Sequence, residues 1–144
     1  MATNAQRRAQ TRGCLINAAR HLFAEQGYAD TSTETILSGA GVTRGAMYHH
    51  FRNKAELFEA VCDLLSREAM VAIEMAYRLD ENDVTCNRLL CEIRIKRSQL
   101  PEAQRHHERA FKFNPSDVQI VLQRGELMTW LGQHEDAIAW IEKA

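Results

Sequence analysis

The stretch Thr43-Arg-Gly-Ala-Met-Tyr-His-His-Phe51 decides how the first half of this sequence is interpreted. Thr43 has a side-chain oxygen that can cap a helix beginning at the next residue. Within the stretch, Ala46, Met47 and Phe51 recur at helical spacing, so we expect them to face a core. That spacing leaves four residues on the outward face: Arg44, Gly45, Tyr48 and His49.

A shorter helix precedes this stretch. Residues 32–39 can form it, with Ile36 and Leu37 as inward apolar side chains. Gly39 and Gly41 then supply the permissive backbone for a tight turn. Two helices joined in this way predict a helix-turn-helix, although an ordinary helical hairpin has the same pattern.

The outward face of the second helix has residue types that suit a DNA groove. Arg44 can donate two hydrogen bonds to a guanine edge, and Gly45 permits close approach of the backbone. Tyr48, His49 and the helix N-terminus can bind phosphate oxygens. We therefore expect double-stranded DNA as the partner of this face.

Residues 11–57 resemble the DNA-binding domain of the TetR family of bacterial transcriptional regulators. The matching residues are Arg12, Leu15-Ile16, Ala18-Ala19, Leu22-Phe23, Gly27-Tyr28, Thr31-Ser-Thr33, Ile36, Ala40 to Phe51, Lys54 and Leu57. The resemblance implies a helix-turn-helix domain over about residues 7–65, in which Arg44 and Gly45 reach base edges. It also implies that several polar residues hold phosphates: Thr33, Thr43, Tyr48, His49 and Lys54.

The segment before this motif is basic. We expect residues 1–6 to be disordered and a helix to run from Arg7 to about Gln26, where Gly27 closes it. The arginines at its start either lie along a DNA backbone or form a solvated first turn: Arg7, Arg8 and Arg12.

Charge is distributed unevenly along the chain. The net charge is −1, which by itself argues against a general nucleic-acid binder. Residues 1–55 hold seven Lys/Arg against three Asp/Glu, and residues 56–144 hold eleven against sixteen. A basic front on an acidic remainder favours one DNA-reading end and one end with another role.

The second half of the chain repeats itself every 34 residues. The repeated positions are Ala69/Ala103/Ala137, Ala76/Ala110/Ala144, Leu79/Phe113, Asp83/Asp117 and the small residues Cys91/Gly125. This period is that of tetratricopeptide (TPR) helix pairs, and residues 131–144 resemble the second half of a TPR motif. In this register a full repeat spans about 84–117, a second starts at 118, and a half repeat occupies about 66–83.

These patterns predict an all-α protein. A helix-turn-helix three-helix domain, residues 1–65, would be joined through a long shared helix, about 54–79, to a TPR-like α-solenoid, residues 66–144. The effector and dimerisation domain of the resembled regulators is absent from this pattern. One interpretation is therefore an engineered or truncated chimera.

The TPR-like half offers two further interactions. A peptide or protein ligand could lie in a groove formed by the first helix of each repeat, which would include Arg88, Glu92, Leu122 and Glu126. A purely structural role suits the same helices. A homodimer could form through the repeat helices, at the apolar end that carries Trp130 and Trp140.

Other chemistry is not indicated. The adjacent pairs His49-His50 and His106-His107 diverge on a helix and do not converge on one metal. The four cysteines form no CxxC pair, and no catalytic motif occurs. We expect no enzyme activity, no cofactor and no metal. No apolar run is long enough to span a membrane and no signal peptide is present, so we expect a cytoplasmic protein.

Three functions follow from the sequence. The favoured one is sequence-specific DNA binding of the TetR transcriptional-regulator type, with the TPR-like module in place of the effector and dimerisation domain. The second is a fusion scaffold without a DNA target. The third is a TPR peptide-binding adaptor.

Overall fold

The computed structural model describes residues 3–143, and every regular element in that range is an α-helix. The helices are α1 (Asn4–Asp30), α2 (Thr33–Ala40), α3 (Arg44–Tyr48), α4 (Lys54–Leu79), α5 (Val84–Lys96), α6 (Leu100–Phe113), α7 (Val118–Trp130) and α8 (His134–Lys143). The predicted all-α class is confirmed. In the described range, every helix is too short or too polar to cross a membrane. The chain divides into two compact units, Met1–Glu68 and Ala69–Ala144, and α4 contributes to both.

Helix α1 begins earlier than expected because its first turn is fully capped. The Thr3 side chain accepts a hydrogen bond from the Gln6 N–H at 3.2 Å, and the Gln6 side chain accepts one from the Thr3 N–H at 2.8 Å. This reciprocal capping box satisfies two N–H groups that would otherwise lack partners. The expected disorder is therefore wrong for residues 3–6, and residues 1 and 2 lie outside the described residues.

The end of α1 is set by a glycine, as predicted. Gly27 has φ +81°, which interrupts the helical backbone before its last residues. The buried Thr31 hydroxyl then donates to the carbonyl oxygens of Gly27 and Leu22, at 2.7 and 3.2 Å. These bonds hold the chain in the sharp change of direction into α2.

The turn between α2 and α3 depends on one glycine rather than two. Gly41 has φ +64°, and the next N–H, that of Val42, donates to the Leu37 carbonyl at 3.1 Å. Gly39 lies inside α2, so its predicted role in the turn is wrong. A Cβ added at Gly39 would make only an ordinary contact, 3.7 Å from the Cβ of Ala18.

The core of the N-terminal unit is built by all four of its helices. Its buried members are Leu15, Ile16, Ala19, Ile36, Leu37, Met47, Phe51, Leu57, Ala60 and Val61. Within each helix these residues recur at helical spacing and so share one face. Helix α3 is only five residues long, so this packing and its caps, more than its own propensity, hold it in place.

The second unit contains two helical hairpins, α5–α6 and α7–α8, that repeat at a period of 34. Both ends of α7 lie 34 residues after the ends of α5. The side chains of Asp83 and Asp117 cap the two first helices. The two hairpin turns carry positive φ at equivalent positions, 58° at Ser98 and 78° at Gly132. The sequence repeat therefore corresponds to a repeat of backbone structure.

Small residues allow the paired helices to approach each other. Cys91 and Ala103 are fully buried in the core of α5–α6. A Cβ added at Gly125 would lie 2.8 Å from the Cδ1 of Ile141, which shows how near α8 comes to α7. The predicted repeat position Ala144 lies outside the described residues.

The second unit buries polar side chains between its helices. The Asn87 amide donates to the carbonyl oxygens of Glu81 and Asp83, both at 2.8 Å, and its Oδ1 lies 3.0 Å from Nδ1 of His106. His107 is 3% exposed, and neither of its ring nitrogens has a hydrogen-bond partner within residues 3–143. Burial, assisted by the Arg124 charge, lowers the pKa of His107 to about 4.

Candidate nucleic-acid interface

Helix α3 is positioned by a cap and by two buried anchors. The Thr43 hydroxyl accepts a hydrogen bond from the Ala46 N–H at 3.3 Å, which confirms the predicted N-cap. Met47 and Phe51 are 0% and 2% exposed and hold the inner face against the core. The opposite face of α3 is thereby held toward solvent.

The outward face carries the residues that the sequence singled out. Gly45 and His49 are exposed, and the Tyr48 side chain is 52% exposed. A Cβ added at Gly45 would have no neighbour within 4 Å, so this surface is open to a ligand. Thr33, half-buried, is the first residue of α2, after the capping residue Ser32.

Arg44 is exposed, and it forms an ion pair with another residue of the N-terminal unit. Its Nη2 donates to a carboxylate oxygen of Glu34, and both side chains remain more than half exposed. Glu34 lies in the first turn of α2, so this ion pair joins the two helices of the helix-turn-helix. The sequence alone does not indicate this pairing, because ten residues and a turn separate Glu34 from Arg44.

Lys54 differs most from its expected environment. Its ammonium donates to the carbonyl oxygens of Tyr28 and Thr31, at 2.8 and 2.9 Å. It also lies 4.3 Å from the centre of the Tyr28 ring. The side chain thus ties the first residue of α4 to the segment that follows Gly27.

A basic cleft of about 440 Å³ adjoins the end of α3. Its lining residues are Arg7, Arg8, Thr11, Ala46, His49 and His50. Partial burial, and next the nearby charges of Arg8 and Arg12, lower the pKa of His50. The part of this shift that comes from Arg8 and Arg12 reflects nearby positive charge, which suits an anion such as a DNA phosphate.

The sequence indicates the arginines of this cleft and His49, but not that they lie together. Arg7, Arg8 and Thr11 lie at helical spacing, which indicates one shared face of α1. Only the packing of α1 against α3 brings that face beside His49 and His50. No local pattern in the sequence could have predicted this approach.

The candidate peptide groove lies in the second unit. Arg88 and Glu92 are on α5, and Leu122 and Glu126 are on α7. Glu92 forms an ion pair with Lys96 at 2.6 Å, and Leu122 is 53% exposed. The two helices are linked nearby, because the Gln123 amide donates to the Arg88 carbonyl at 3.0 Å.

Metal ligation finds no support in the described part of the chain. Within residues 3–143, no three His, Cys, Asp or Glu side chains are placed to hold a metal ion. The imidazole of His106 is engaged with Asn87, and that of its neighbour His107 is buried.

Comparison with known families finds a match within the N-terminal unit. The sequence model described as "Bacterial regulatory proteins, tetR family" matches residues 15–61. That range covers most of α1, all of α2 and α3, and the first turns of α4. It contains the capped α3, the Gly41 turn and the ion pair between Arg44 and Glu34.

Two curated relatives are similar to part of this chain. The HTH-type transcriptional regulator AcrR of Shigella flexneri is 39% identical over 79 residues, 54% of this chain and 36% of the relative. The HTH-type transcriptional regulator TtgR of Pseudomonas putida is 50% identical over 56 residues, 39% of this chain and 27% of the relative. The chain therefore spans about a third of the length of these relatives or less. Both relatives are named as HTH-type transcriptional regulators.

A solved structure has a similar fold. The crystal structure of a gamma-butyrolactone receptor (ArpA like protein) superposes with a TM-score of 0.56 and 22% identity. The superposition covers 89% of this chain and 76% of the other. At this identity the similarity concerns the fold alone, and the TPR interpretation of the second unit stays a prediction.

Proposed function

We propose that this chain, whose N-terminal unit carries a helix-turn-helix domain of the TetR type, binds duplex DNA sequence-specifically as a transcriptional regulator. The observation that carries the proposal is the outward face of α3, which a cap and two buried anchors hold toward solvent beside a basic cleft. A rigid exposed helix of this kind can enter a major groove.

The proposed division of labour on this face follows from residue chemistry. Arg44 donates to a guanine edge, and Gly45 lets the backbone approach the bases. Phosphates are held by the hydroxyl, phenol and imidazole groups around α3, at Thr33, Thr43, Tyr48 and His49. The cleft at Arg7 and Arg8 adds a further phosphate position.

In this proposal Lys54 both stabilises the fold of the unit and binds a phosphate. An ammonium group has three N–H donors. Two of them serve the carbonyl oxygens of Tyr28 and Thr31. One donor is left for a phosphate, so Lys54→Met should weaken folding of the unit as well as DNA binding.

The test is selection of duplexes from a random library, followed by affinity measurements at several salt concentrations. Arg44→Gln should cost about 1–3 kcal/mol on the selected duplex and relax the choice of one base. Tyr48→Ala should weaken all duplexes alike. Arg67→Gln, an exposed arginine of α4, removes the same charge and should leave base choice unchanged. If Arg44→Gln and Tyr48→Ala both bind the selected duplex like the wild type, the assignment of this face is wrong.

A second copy of this chain completes the proposal. Helix-turn-helix regulators read two half-sites about 34 Å apart through two-fold symmetry, and one copy binds weakly. Exposed apolar side chains on α7 and α8 support pairing through the repeat helices. Trp130, Ile138 and Ile141 are 57%, 60% and 49% exposed. The equivalent residues of α5–α6 are polar: Lys96, Gln104 and His107.

Light scattering across a concentration series tests the dimer. The wild type should approach twice the monomer mass, and Ile138→Glu should remain a monomer with an unchanged circular dichroism spectrum. Exposed Val71→Glu on α4 is the matched control and should still dimerise. A wild type that stays monomeric at all concentrations would refute the dimer and favour the scaffold interpretation.

A peptide-binding adaptor is the second candidate. The structural repeat of the two hairpins supports a TPR-like module over about residues 66–144 beside a DNA-binding domain over 1–65. Its groove would be lined by Arg88, Glu92, Leu122 and Glu126. Capture of a defined peptide that Arg88→Glu abolishes, with no duplex preference, would favour this function over the regulator.

A further inference from the structure

The base-reading arginine of this surface has a protein partner. Arg44 Nη2 donates to the Glu34 carboxylate, although both side chains are exposed. An isolated exposed ion pair contributes little to stability, because solvent screens it and ordering two side chains costs entropy. We instead expect the ion pair to affect how the Arg44 side chain is positioned and how much negative charge lies beside the outward face of α3.

Both partners are attached to capped first turns, so their backbones are fixed before any ligand arrives. The Ser32 hydroxyl accepts from the Thr35 N–H at 3.0 Å and caps the turn that holds Glu34. The Thr43 hydroxyl caps the turn that begins with Arg44. The Gly41 turn sets the distance between the two caps.

The geometry of a guanidinium allows it to serve two acceptors at once. Arginine presents five N–H donors in a planar fork. When one Nη2 donor binds Glu34, the remaining donors on Nη1, Nη2 and Nε can still address a guanine edge. The carboxylate thereby reduces the conformational entropy that the Arg44 side chain loses when it binds DNA. The same carboxylate repels phosphates, which disfavours loosely placed, non-specific DNA.

We propose that Glu34 is a positioning residue that sets sequence specificity by holding Arg44 against the reading face and by repelling misplaced phosphates. The inference rests on the proposed DNA binding and deepens it. Glu34 would not itself need to contact a base. Its removal should raise affinity for non-specific duplexes while lowering discrimination at the one base pair that Arg44 reads.

The experiment compares Glu34→Gln with Glu25→Gln, which removes the same charge from an exposed position on α1. Each protein is titrated with the selected duplex, with that duplex changed at the base pair lost in Arg44→Gln, and with poly(dI-dC). Glu34→Gln should bind poly(dI-dC) more tightly and lose discrimination at the changed base pair by about threefold to tenfold. Glu25→Gln should keep the wild-type discrimination.

The double variant Arg44→Gln/Glu34→Gln separates positioning from direct contact. If Glu34 acts through Arg44, discrimination in the double variant should equal that of Arg44→Gln alone. A further loss would show that Glu34 reads the base pair itself and would overturn the inference. Unchanged discrimination in Glu34→Gln would overturn it while leaving the proposed function intact. A wild type that selects no duplex would overturn both.

Discussion

The two units of this chain place their polar side chains in opposite ways. In the N-terminal unit the buried side chains are apolar, apart from Thr31, among the residues that the structure describes. Several of its arginines and histidines line the open cleft beside α3, namely Arg7, Arg8, His49 and His50. The second unit instead buries Asn87, His107 and Gln123 between its helices. Polar groups that stay at the surface can serve a ligand, whereas buried ones make the stability of their unit depend on hydrogen bonds and pH.

The difference has a structural cause. The N-terminal unit closes one apolar core with four helices. In the second unit the hairpin α5–α6 packs against the hairpin α7–α8, so residues between them are buried whether they are polar or not. We expect the first unit to be most sensitive to changes in its apolar core. The second unit should be most sensitive to changes in its buried polar side chains.

The largest effect should come from the core of the N-terminal unit. Leu15 is 0% exposed, and Leu15→Ala should cost about 2–5 kcal/mol because it leaves a cavity among packed side chains. Urea denaturation with amide hydrogen exchange should show lost protection in α1–α3 and retained protection in α5–α8. Val71→Ala, at a position 56% exposed, should have little effect. Equal loss of protection in both units would break the comparison, since the units would then unfold as one.

An effect of comparable or smaller size should come from acid, in the second unit. The folded pKa of His107, about 4, lies below its ordinary value of 6.5, so the unfolded chain takes up the proton first. The free energy of unfolding should therefore fall as the pH falls from about 6.5 to about 4, by roughly 3 kcal/mol in total. The nearby charges modulate this step, since Arg124 lowers the pKa and Glu108 raises it.

Urea midpoints measured between pH 4 and pH 8 would check the histidine prediction. His107→Gln should reduce the pH dependence, leaving the smaller contribution of His106, whose pKa burial also lowers. His134→Gln, at an exposed position on α8, should preserve it. As the pH falls, loss of protection from amide hydrogen exchange should begin in α6 and α7. If His107→Gln keeps the full slope, another group controls the acid response and the buried imidazole is not its cause.

The smallest effects should come from two opposite changes at backbone positions. In α1, a Cβ added at Gly13 meets nothing within 4 Å, so Gly13→Ala should stabilise the first unit by about 0.5–1 kcal/mol. In the second unit, Ser98 has φ 58°, where glycine has no steric penalty, so Ser98→Gly should stabilise by a similar amount, about 0.5–1 kcal/mol. Calorimetric Tm values would check both. A fall in Tm for Ser98→Gly would mean that its side chain contributes more than its backbone costs.

Much of the N-terminal fold could be predicted from the sequence because its signals are local. The apolar spacing of α1 and α3, the Thr43 cap and the Gly27 closure each depend on residues a few positions apart. The two wrong predictions concern short segments in which more than one local structure is compatible with the residues. The capping box with Gln6 extends α1 over residues 3–6, where we expect disorder from the sequence. Gly39 is compatible with either turn or helix.

The candidate site could be predicted in its residues but not in its contacts. Arg44, Gly45, Tyr48 and His49 face outward because α3 has a helical period, which the sequence displays. The partner of Lys54 could not be foreseen, because Tyr28 and Thr31 are more than twenty positions away and meet it only after α1 and α4 pack.

By itself, the sequence determined the helical class, the capped helix-turn-helix and the 34-residue period of the second half, since these follow from spacing and from backbone preferences of single residues. Tertiary structure alone decided that Arg44 is held by Glu34, that a basic cleft joins α1 to α3, and that His107 is buried while its repeat equivalent Ile141 is exposed. Those outcomes depend on which helix faces come together. That choice is made by the packing of the whole unit and not by any segment of it.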